Sequence, residues 1–522
     1  MRLDRTRTRF VRLPFLFRSA ALILVATLAI SATDVQQTDK NEFRQLVKQG
    51  DKLAKKGDYA GAESAFQRAI ELNPVDSSVK LRLAMVYVKT RRLRPAYDLS
   101  FETAKAEPKN ARAFAVLGAT LLAAGKFDDA RKIFFKALQV DKEESLAWAG
   151  TGMLDFYENR IDDSLNNLQE AVFHEPQEPD YLFAFAQVAA RAERYKDAAD
   201  AYNLFLTYSK NTDDERRARI KGLINFLRYL GQKQSLYVTA GEGQTAVKFK
   251  IVGNRPVIGL RVNGRDEMLN FVLDTGSGIS VISDVTAKRL KIDPITKGGF
   301  AKGIGGDGRF EIVYGFLRQV SIGDVNVRNV PVYIREFHSK DEKIDGYIGL
   351  SLISKFLTTI DYGAQTFSLT KKDAIDDPPA AGKAISLPLR LTSSGFLSGE
   401  VQLEGVEEPL NFIVDTGATV SVISAEVANR EPISSFVKTD KMRVIGSAGV
   451  TEDVPSFLLP RVSFGSHSRK SITAIALDLD MINEASGFEQ AGILGGNFLR
   501  NYRMTFDFKR SRVTFVPVVI EP

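Results

Sequence analysis

The chain has 522 residues, a formal net charge of +7, three histidines and no cysteine. At roughly 100–200 residues per domain, the length predicts three or four domains. The absence of cysteine excludes disulfides, thiolate metal sites and a cysteine nucleophile. The histidines, at positions 174, 338 and 467, are too far apart for a local histidine metal site, which disfavours metal-dependent hydrolysis. We therefore expect neither a metal nor a cofactor.

The first 32 residues have the pattern of an export signal. Six arginines precede the uncharged apolar run at 20–30, and Ser31 and Ala32 follow it. The run is shorter than the roughly 20 residues of a membrane-spanning helix. We predict a cleaved signal peptide at 1–32 and export to the periplasm or out of the cell, with an uncleaved membrane anchor as the alternative. Without these residues the net charge falls from +7 to +2, so we expect no nucleic-acid partner.

Residues 40–235 repeat with a period of 34 residues. Short recurring marks define the period: Gly57-Asp58-Tyr59, Arg91-Arg92-Leu93, Gly125-Lys126-Phe127, Asn159-Arg160-Ile161 and Glu193-Arg194-Tyr195. Small residues recur in the same register at positions 50, 84, 118, 152 and 186, where two helices would approach closely. The pattern resembles the tetratricopeptide repeat (TPR), a helix–turn–helix unit that stacks into an α-solenoid.

This resemblance implies five repeats and a capping helix at about 213–229, with a groove that binds a protein partner. A spacer or a dimerisation arm is the alternative role.

After residue 240 the pattern changes to short β-rich runs, and one segment occurs twice. Residues 271–283 and 412–424 share an apolar strand, Asp-Thr-Gly and a second apolar run, at an offset of 141 residues. The duplication continues in Val320–Gly323 with Val462–Gly465 and in Gly346–Gly349 with Gly492–Gly495. We predict two homologous lobes, at 249–372 and 386–518, joined by a linker at 373–385. The fold class is thus multidomain, α followed by β.

Asp274 and Asp415 each follow an apolar strand and precede Thr-Gly. A single buried carboxylate would take up a proton, whereas two that meet across an interface share one. One group is then a base while the other is an acid, and the pair activates a water molecule without metal, histidine or cysteine.

The duplicated Asp-Thr-Gly segment, followed about seventy residues later by two apolar residues and glycine, resembles the aspartic peptidases. Each lobe is closer in size to the retropepsin unit than to half of a pepsin. The resemblance implies β-barrel-like lobes, a catalytic pair formed by Asp274 and Asp415, and threonines that brace the two turns across the lobe interface. The residues that would support the turns are Thr275, Gly276, Ser277, Thr416 and Gly417. Ile348-Gly349 and Leu494-Gly495 would pack behind them.

Two glycine-rich segments between these motifs are predicted to be flap tips that close over an extended peptide. Two flaps resemble a retropepsin dimer, whereas pepsins have one. The predicted substrate-binding residues are Gly303, Ile304, Gly305 and Gly306 in the first flap and Ile445, Gly446 and Ser447 in the second.

The two turns differ at one position, where Ser277 corresponds to Ala418. We expect the Ser277 hydroxyl to donate a hydrogen bond to Asp274 and to lower its pKa, so that Asp274 carries more of the negative charge and Asp415 more of the proton.

Together these features predict an exported aspartic endopeptidase whose repeats recruit a substrate or partner protein. It would contact a membrane only through an uncleaved N-terminal segment. Two alternatives stay open: a non-catalytic peptide-binding scaffold, and lobes that pair between chains instead of within one.

Overall fold

A computed structural model describes residues 40–209, 212–233, 235–241, 243–306, 308–339, 343–371 and 384–519. The predicted signal peptide and most of the predicted linker lie outside these residues. The chain divides into two compact units, Met1–Thr103 and Ala104–Pro522. Within the described residues, no helix has both the length and the apolar character needed to cross a bilayer.

The first unit consists of helices joined by tight turns. Its helices are α1 (40–55), α2 (Tyr59–Leu72), α3 (Ser77–Lys89) and most of α4 (Leu93–Ala106). Asp58 caps α2, since its carboxylate accepts a hydrogen bond from the backbone N–H of Gly61 at 2.9 Å. Ala62, Phe66 and Ala69 on one face of α2 are buried against α3. This is the amphipathic pairing expected of one repeat.

The second unit begins with three helix pairs and a final helix. These are α5 (Ala111–Ala123), α6 (Phe127–Val140), α7 (Ser145–Tyr157), α8 (Ile161–His174), α9 (Pro179–Arg191), α10 (Tyr195–Tyr208) and α11 (Asp214–Gly231). Gly118 of α5 lies against Phe134 of α6, and a β-carbon at Gly118 would be 2.7 Å from the ring. The predicted helical solenoid is confirmed, and the small residues occupy the close approaches between its helices.

The remainder of the second unit folds into two β lobes. The first lobe contains β1 (Val238–Ala240), β2 (Gln244–Val252), β3 (Arg255–Val262), β4 (Leu269–Leu273), β5 (Val281–Ser283), α12 (Asp284–Leu290), β6 (Thr296–Lys302), β7 (Arg309–Ile322), β8 (Val325–Arg335), β9 (Gly346–Ile348), α13 (Leu350–Ile353), β10 (Phe356–Asp361) and β11 (Thr366–Lys371). It therefore begins before residue 249, where the sequence placed its start.

The second lobe has a similar order, with an added 3₁₀ turn and an added helix, α15. It contains β12 (Ile385–Pro388), β13 (Arg390–Leu391), β14 (Leu397–Leu403), β15 (Leu410–Val414), β16 (Ser421–Ser424), α14 (Ala425–Ala428), a 3₁₀ turn (Ile433–Phe436), β17 (Val437–Ile445), β18 (Val450–Phe464), β19 (His467–Leu477), α15 (Asp480–Ser486), β20 (Gly492–Leu494), α16 (Gly496–Leu499), β21 (Tyr502–Asp507) and β22 (Arg512–Pro517). Ile385, assigned to the linker from sequence, begins a strand.

Each lobe is a strongly curved sheet with equivalent strand order. The first runs β3-β4-β9-β5-β8-β7-β6 and the second β14-β15-β20-β16-β19-β18-β17. Pairing of β3 with β7 and of β14 with β18 closes each sheet towards a barrel. The equivalence of the two orders matches the duplication seen in the sequence.

A shared sheet joins the lobes within this chain. Strand β10 of the first lobe pairs antiparallel with β21 of the second, from Leu357 opposite Asp507 to Asp361 opposite Arg503. The resulting order β12-β22-β21-β10-β11-β2 is symmetric about that pair. One hydrophobic core contains residues of both lobes, including Ile360. The two lobes therefore pair with each other in a single chain.

The turns of three successive helix pairs lie on the lobes. Their contacts are Phe127 edge-on to Phe488 with ring centroids 4.9 Å apart, Asn159 Nδ2 donating to the Phe508 carbonyl at 3.1 Å, and the ion pair of Glu193 with Lys355. The solenoid residues in these three contacts, Phe127, Asn159 and Glu193, all belong to the short motifs that recur every 34 residues. The solenoid from α5 onwards is thus packed against the lobes and is not a free spacer.

Helix α11 caps the solenoid and also packs against the β6–β7 hairpin. Phe226 stacks on Tyr314 with ring centroids 4.4 Å apart. Arg219 Nη1 donates to the Phe300 carbonyl at 3.2 Å. The helix that ends the repeats therefore supports the hairpin whose tip is the first predicted flap.

This packing depends on the absence of a side chain at Gly222, where a β-carbon would lie 2.4 Å from the Lys297 carbonyl oxygen. In an unobstructed helix, replacing glycine with alanine stabilises the folded protein by about 0.5–1 kcal/mol. We predict that Gly222→Ala instead lowers Tm, because α11 must move away from β6. Gly231→Ala is the control in the same helix, since its β-carbon would meet Tyr195 only at 3.7 Å. An unchanged Tm for Gly222→Ala in a thermal melt would contradict this packing.

Candidate active site

The two Asp-Thr-Gly turns lie at the ends of buried central strands. Strand β4 pairs in parallel with β9, and β15 pairs in the same way with β20. The backbone N–H of Asp274 donates to the Ile348 carbonyl and that of Asp415 to the Leu494 carbonyl, each at 3.0 Å. The two apolar-apolar-glycine segments therefore lie behind the turns, as the resemblance implied.

Thr275 and Thr416 bind the two turns to each other through reciprocal hydrogen bonds. The hydroxyl of Thr275 donates to the Val414 carbonyl and that of Thr416 to the Leu273 carbonyl, both at 2.6 Å. Each hydroxyl also accepts the backbone N–H of the opposite threonine, at 3.2 and 3.1 Å. Both threonines are fully buried. The four bonds fix the spacing of the turns.

The carboxyl groups of Asp274 and Asp415 meet at this interface. Each lies over the glycine of the opposite turn. A β-carbon at Gly276 would be 2.3 Å from Asp415 Cγ, and one at Gly417 would be 2.6 Å from Asp274 Oδ1. The glycines are therefore required for the two carboxyls to approach.

The surroundings raise the pKa of both carboxyls. Burial raises the pKa of Asp274 well above its ordinary value of 3.8, and the neighbouring Asp415 raises it further. Burial also raises the pKa of Asp415, but a hydrogen bond from Asp274 and backbone N–H groups act in the opposite direction. The pair therefore holds one proton, and the larger rise in the pKa of Asp274 favours that carboxyl as the protonated partner.

The predicted hydrogen bond from Ser277 to Asp274 is wrong, and the pKa of Asp274 is raised instead of lowered. The Ser277 hydroxyl donates to the Ile279 carbonyl at 2.7 Å. Asp415 Oδ1 instead accepts the N–H groups of Gly417 and Ala418, at 2.7 and 3.1 Å. In the first turn, Asp274 Oδ1 accepts the Gly276 N–H at 2.9 Å. Backbone geometry in the second turn, not a side chain in the first, stabilises the charged partner.

The two predicted flap tips contact each other. The N–H of Ala448 donates to the Ile304 carbonyl at 2.8 Å, and the N–H of Gly306 donates to the Val450 carbonyl at 3.2 Å. The Ile304 N–H donates to Ser447 Oγ at 3.2 Å. Three of the tip glycines lie in close contact with the opposite flap: Gly303 against Ser447, Gly305 against Gly449 and Gly446 against Ile304. The tips of the two hairpins therefore lie against each other.

Ile445, predicted to bind substrate in the second flap, does not face the apolar cluster near the first flap. Ile445 is 43% exposed, whereas Val444 and Met442 pack with Ile304 and Ala418 in an apolar cluster. Side chains alternate along β17, so a shift of one residue changes the face. The apolar side of the second flap is thus formed by Val444, which the glycine pattern alone did not identify.

The sequence patterns also did not identify Arg335, a charged residue near the carboxyl pair. Arg335 ends β8, and Asp274 is among the groups that act on its pKa. Nothing in the motif pattern marks this residue, but its register opposite Ser283 places it at the end of a central strand.

The arrangement supports acid–base chemistry by two carboxyls. Among the described residues, no group of three or more histidine or acidic side chains is placed to hold a metal ion. Two buried carboxyls that share one proton can act as an acid and a base at the same time.

Comparison with known proteins agrees with this architecture. A model of the aspartyl protease family matches residues 258–352 and 399–498, and a tetratricopeptide-repeat model matches residues 47–94 and 150–213. The small glutamine-rich tetratricopeptide repeat-containing protein 2 of Mycosarcoma maydis is 28% identical over 112 residues, or 22% of this chain and 32% of that protein. The similarity thus spans about a third of the length of that relative.

Two solved structures resemble part of the chain. A thermophilic TPR protein from Thermus thermophilus is 20% identical and matches 35% of this chain and 98% of its own, with a TM-score of 0.31. The pilF protein of Pseudomonas aeruginosa is 16% identical and matches 37% of this chain and 86% of its own, with a TM-score of 0.28.

Replacement of the bracing threonines tests their contribution to stability. Thr275→Val or Thr416→Val leaves buried backbone groups unpaired, so each is expected to lower the free energy of unfolding by about 1–3 kcal/mol. Urea unfolding measures the loss. Thr→Ser at the same positions keeps the hydroxyl and is expected to lose less. Serine and valine variants of equal stability would contradict the proposed brace.

The raised pKa of Asp274 predicts a pH-dependent stability. Because the folded chain holds this proton more tightly than the unfolded chain, stability decreases as pH rises above the ordinary pKa of 3.8 towards neutral pH. Asp274→Asn removes this cost and is expected to raise Tm at neutral pH by a few degrees, since one pKa unit corresponds to about 1.4 kcal/mol.

Calorimetric melts across this pH range provide the measurement, with the exposed Asp293→Asn as the control. If Asp274→Asn has the same pH dependence of Tm as wild type, the assignment of the proton is wrong.

Proposed function

We propose that this protein is an exported aspartic endopeptidase with one active site per chain. The chain carries a TPR solenoid followed by a retropepsin-like aspartyl protease domain in two segments. The proposal rests on the meeting of Asp274 and Asp415 in turns from the two lobes, where each carboxyl lies over the glycine of the opposite turn. Such a pair holds one proton and presents one base, which is what hydrolysis of an amide by water requires.

In the proposed reaction, a water molecule lies between the two carboxyls and the scissile carbonyl. Asp415 removes a proton from the water as its oxygen forms a bond to the carbonyl carbon. Asp274 donates its proton to the carbonyl oxygen, which gives a neutral tetrahedral intermediate. The nitrogen then takes the proton held by Asp415, the C–N bond breaks, and Asp274 recovers a proton from the intermediate. The charges balance at each step, and the carboxyl pair returns to its initial state.

A peptide is the substrate class that this site favours. Hairpins β6–β7 and β17–β18 carry the two flap tips, and an extended peptide under them would add backbone hydrogen bonds in the manner of a strand. The bonds between Ile304 and the tip of the second flap must break for a peptide to enter. Opening and closure of the flaps would then admit substrate and exclude water during the reaction.

The TPR solenoid is proposed to present substrate proteins to this site. TPR repeats indicate an interaction with another protein. Because helix α11 packs against the first flap hairpin, a protein held by the repeats would lie on an element that is physically continuous with the cleft. The N-terminal arginines and apolar run support export, with an uncleaved anchor as the alternative.

We expect that Asp274→Asn and Asp415→Asn each abolish cleavage of a casein or peptide-pool substrate at mildly acidic pH, by at least about 10³-fold, because each removes one half of the acid–base pair. An equimolar mixture of the two variants is expected to stay inactive, since both lobes of a site come from one chain.

Recovered activity in the mixture would show that lobes pair between chains. If wild type cleaves no substrate while the fold is intact, the enzyme proposal fails and the peptide-binding scaffold is favoured. Asp293→Asn, on the surface of the first lobe, is the matched control for loss of one carboxylate.

A further inference from the structure

Arg335 is a partly buried cation near the proposed catalytic pair. It is the last residue of β8 and lies opposite Ser283 of the parallel strand β5. Burial lowers the pKa of its guanidinium, and the described groups that offset this effect are Tyr347 and Asp274. The guanidinium is therefore within electrostatic reach of the carboxyl pair.

The side chain of Arg335 is flanked by aromatic rings instead of carboxylates. Its guanidinium carbon lies 5.3 Å from the ring centre of Phe310 and 5.9 Å from that of Phe337. Phe310 belongs to the first flap hairpin and packs against Gly303 at its tip. Arg335 thus lies beside the tip end of the first flap hairpin.

Arg335 has no ion-pair partner within the part of the chain that the structure describes. Its Nε is buried and lacks a hydrogen-bond partner among these residues. A buried charge without a counterion is costly, so such groups usually bind one. The planar guanidinium also matches the two oxygens of a carboxylate.

The equivalent position in the second lobe is apolar. Strands β16 and β19 pair as β5 and β8 do, and Leu477 lies opposite Ser424 where Arg335 lies opposite Ser283. Leu477 packs in the cluster that contains Ile304 and Val444. The first lobe therefore has a charged residue at the position where the second lobe has an apolar one.

We propose that Arg335 forms a subsite for an acidic side chain, Asp or Glu, of the peptide substrate. The carboxylate would pair with the guanidinium beneath the first flap, while the Leu477 side of the cleft takes an apolar side chain. The substrate class is thus a peptide with an acidic residue on one side of the scissile bond and an apolar residue on the other. This inference rests on the proposed peptidase function.

The test compares Glu with Gln in otherwise identical peptides. In eight-residue peptides with Leu-Phe at the centre, Glu or Gln is placed at each other position in turn, and kcat/KM is measured. At one position wild type is expected to prefer Glu about 10- to 100-fold, as befits a hydrogen bond to a charged group. Arg335→Leu, which copies the equivalent residue of the second lobe, is expected to reduce that ratio to about one.

Two further variants separate binding of the acidic side chain from a general effect on the site. Arg335→Lys keeps the charge without the planar fork and is expected to retain part of the preference. Arg328→Leu makes the same change at an exposed position of the same strand and is expected to leave the ratio unchanged. A preference for Glu that persists in Arg335→Leu would overturn the proposal, as would a wild type with no preference at any position.

A binding measurement keeps this test independent of catalysis. Fluorescence anisotropy of the same labelled peptides is measured on Asp415→Asn, with and without Arg335→Leu. Tighter binding of the Glu peptide that is lost with Arg335→Leu supports the subsite, even if wild type cleaves nothing and the peptidase proposal fails. Equal binding of Glu and Gln peptides to Asp415→Asn overturns the subsite, even if wild type is an active peptidase.

Discussion

The reciprocal hydrogen bonds of Thr275 and Thr416 are the constraint on which the candidate site depends. Each hydroxyl donates to a buried carbonyl of the opposite lobe and accepts a backbone N–H from it. Because all partners are buried, any displacement of one lobe leaves polar groups unsatisfied. This brace holds Asp274 and Asp415 so close that only glycine fits beneath each carboxyl. Proton sharing then follows from distance and burial, without a metal or a third residue.

The solenoid is part of the same body as the site, at least from α5 onwards. The 34-residue marks are turns that a helical hairpin requires, and in three successive repeats the same turns contact the lobes. Helix α11 links the end of the repeats to the first flap hairpin. A chain built in this way couples the surface that would hold a partner protein to an element that must move for a peptide to enter.

Much of this arrangement could be predicted from the sequence because it rests on repetition. The 34-residue period identified the solenoid, and two copies of Asp-Thr-Gly identified the paired lobes and the two carboxyls. Features that depend on three-dimensional neighbours could not be predicted. The hydroxyl of Ser277 has a competing acceptor at Ile279, Ile445 faces away from the apolar cluster, and Arg335 belongs to no motif. Packing of α11 on β6 joins segments about seventy residues apart through Gly222, a position the repeat pattern does not mark.

In the proposed enzyme, the two lobes of one chain form a single proton-sharing site. Isothermal titration of the full-length chain with a statine-based transition-state analogue, which such a site should bind tightly, tests it most directly. We expect a monomeric protein that binds one inhibitor per chain at mildly acidic pH. A stoichiometry of one inhibitor per two chains, or no binding by the folded chain, would contradict this proposal.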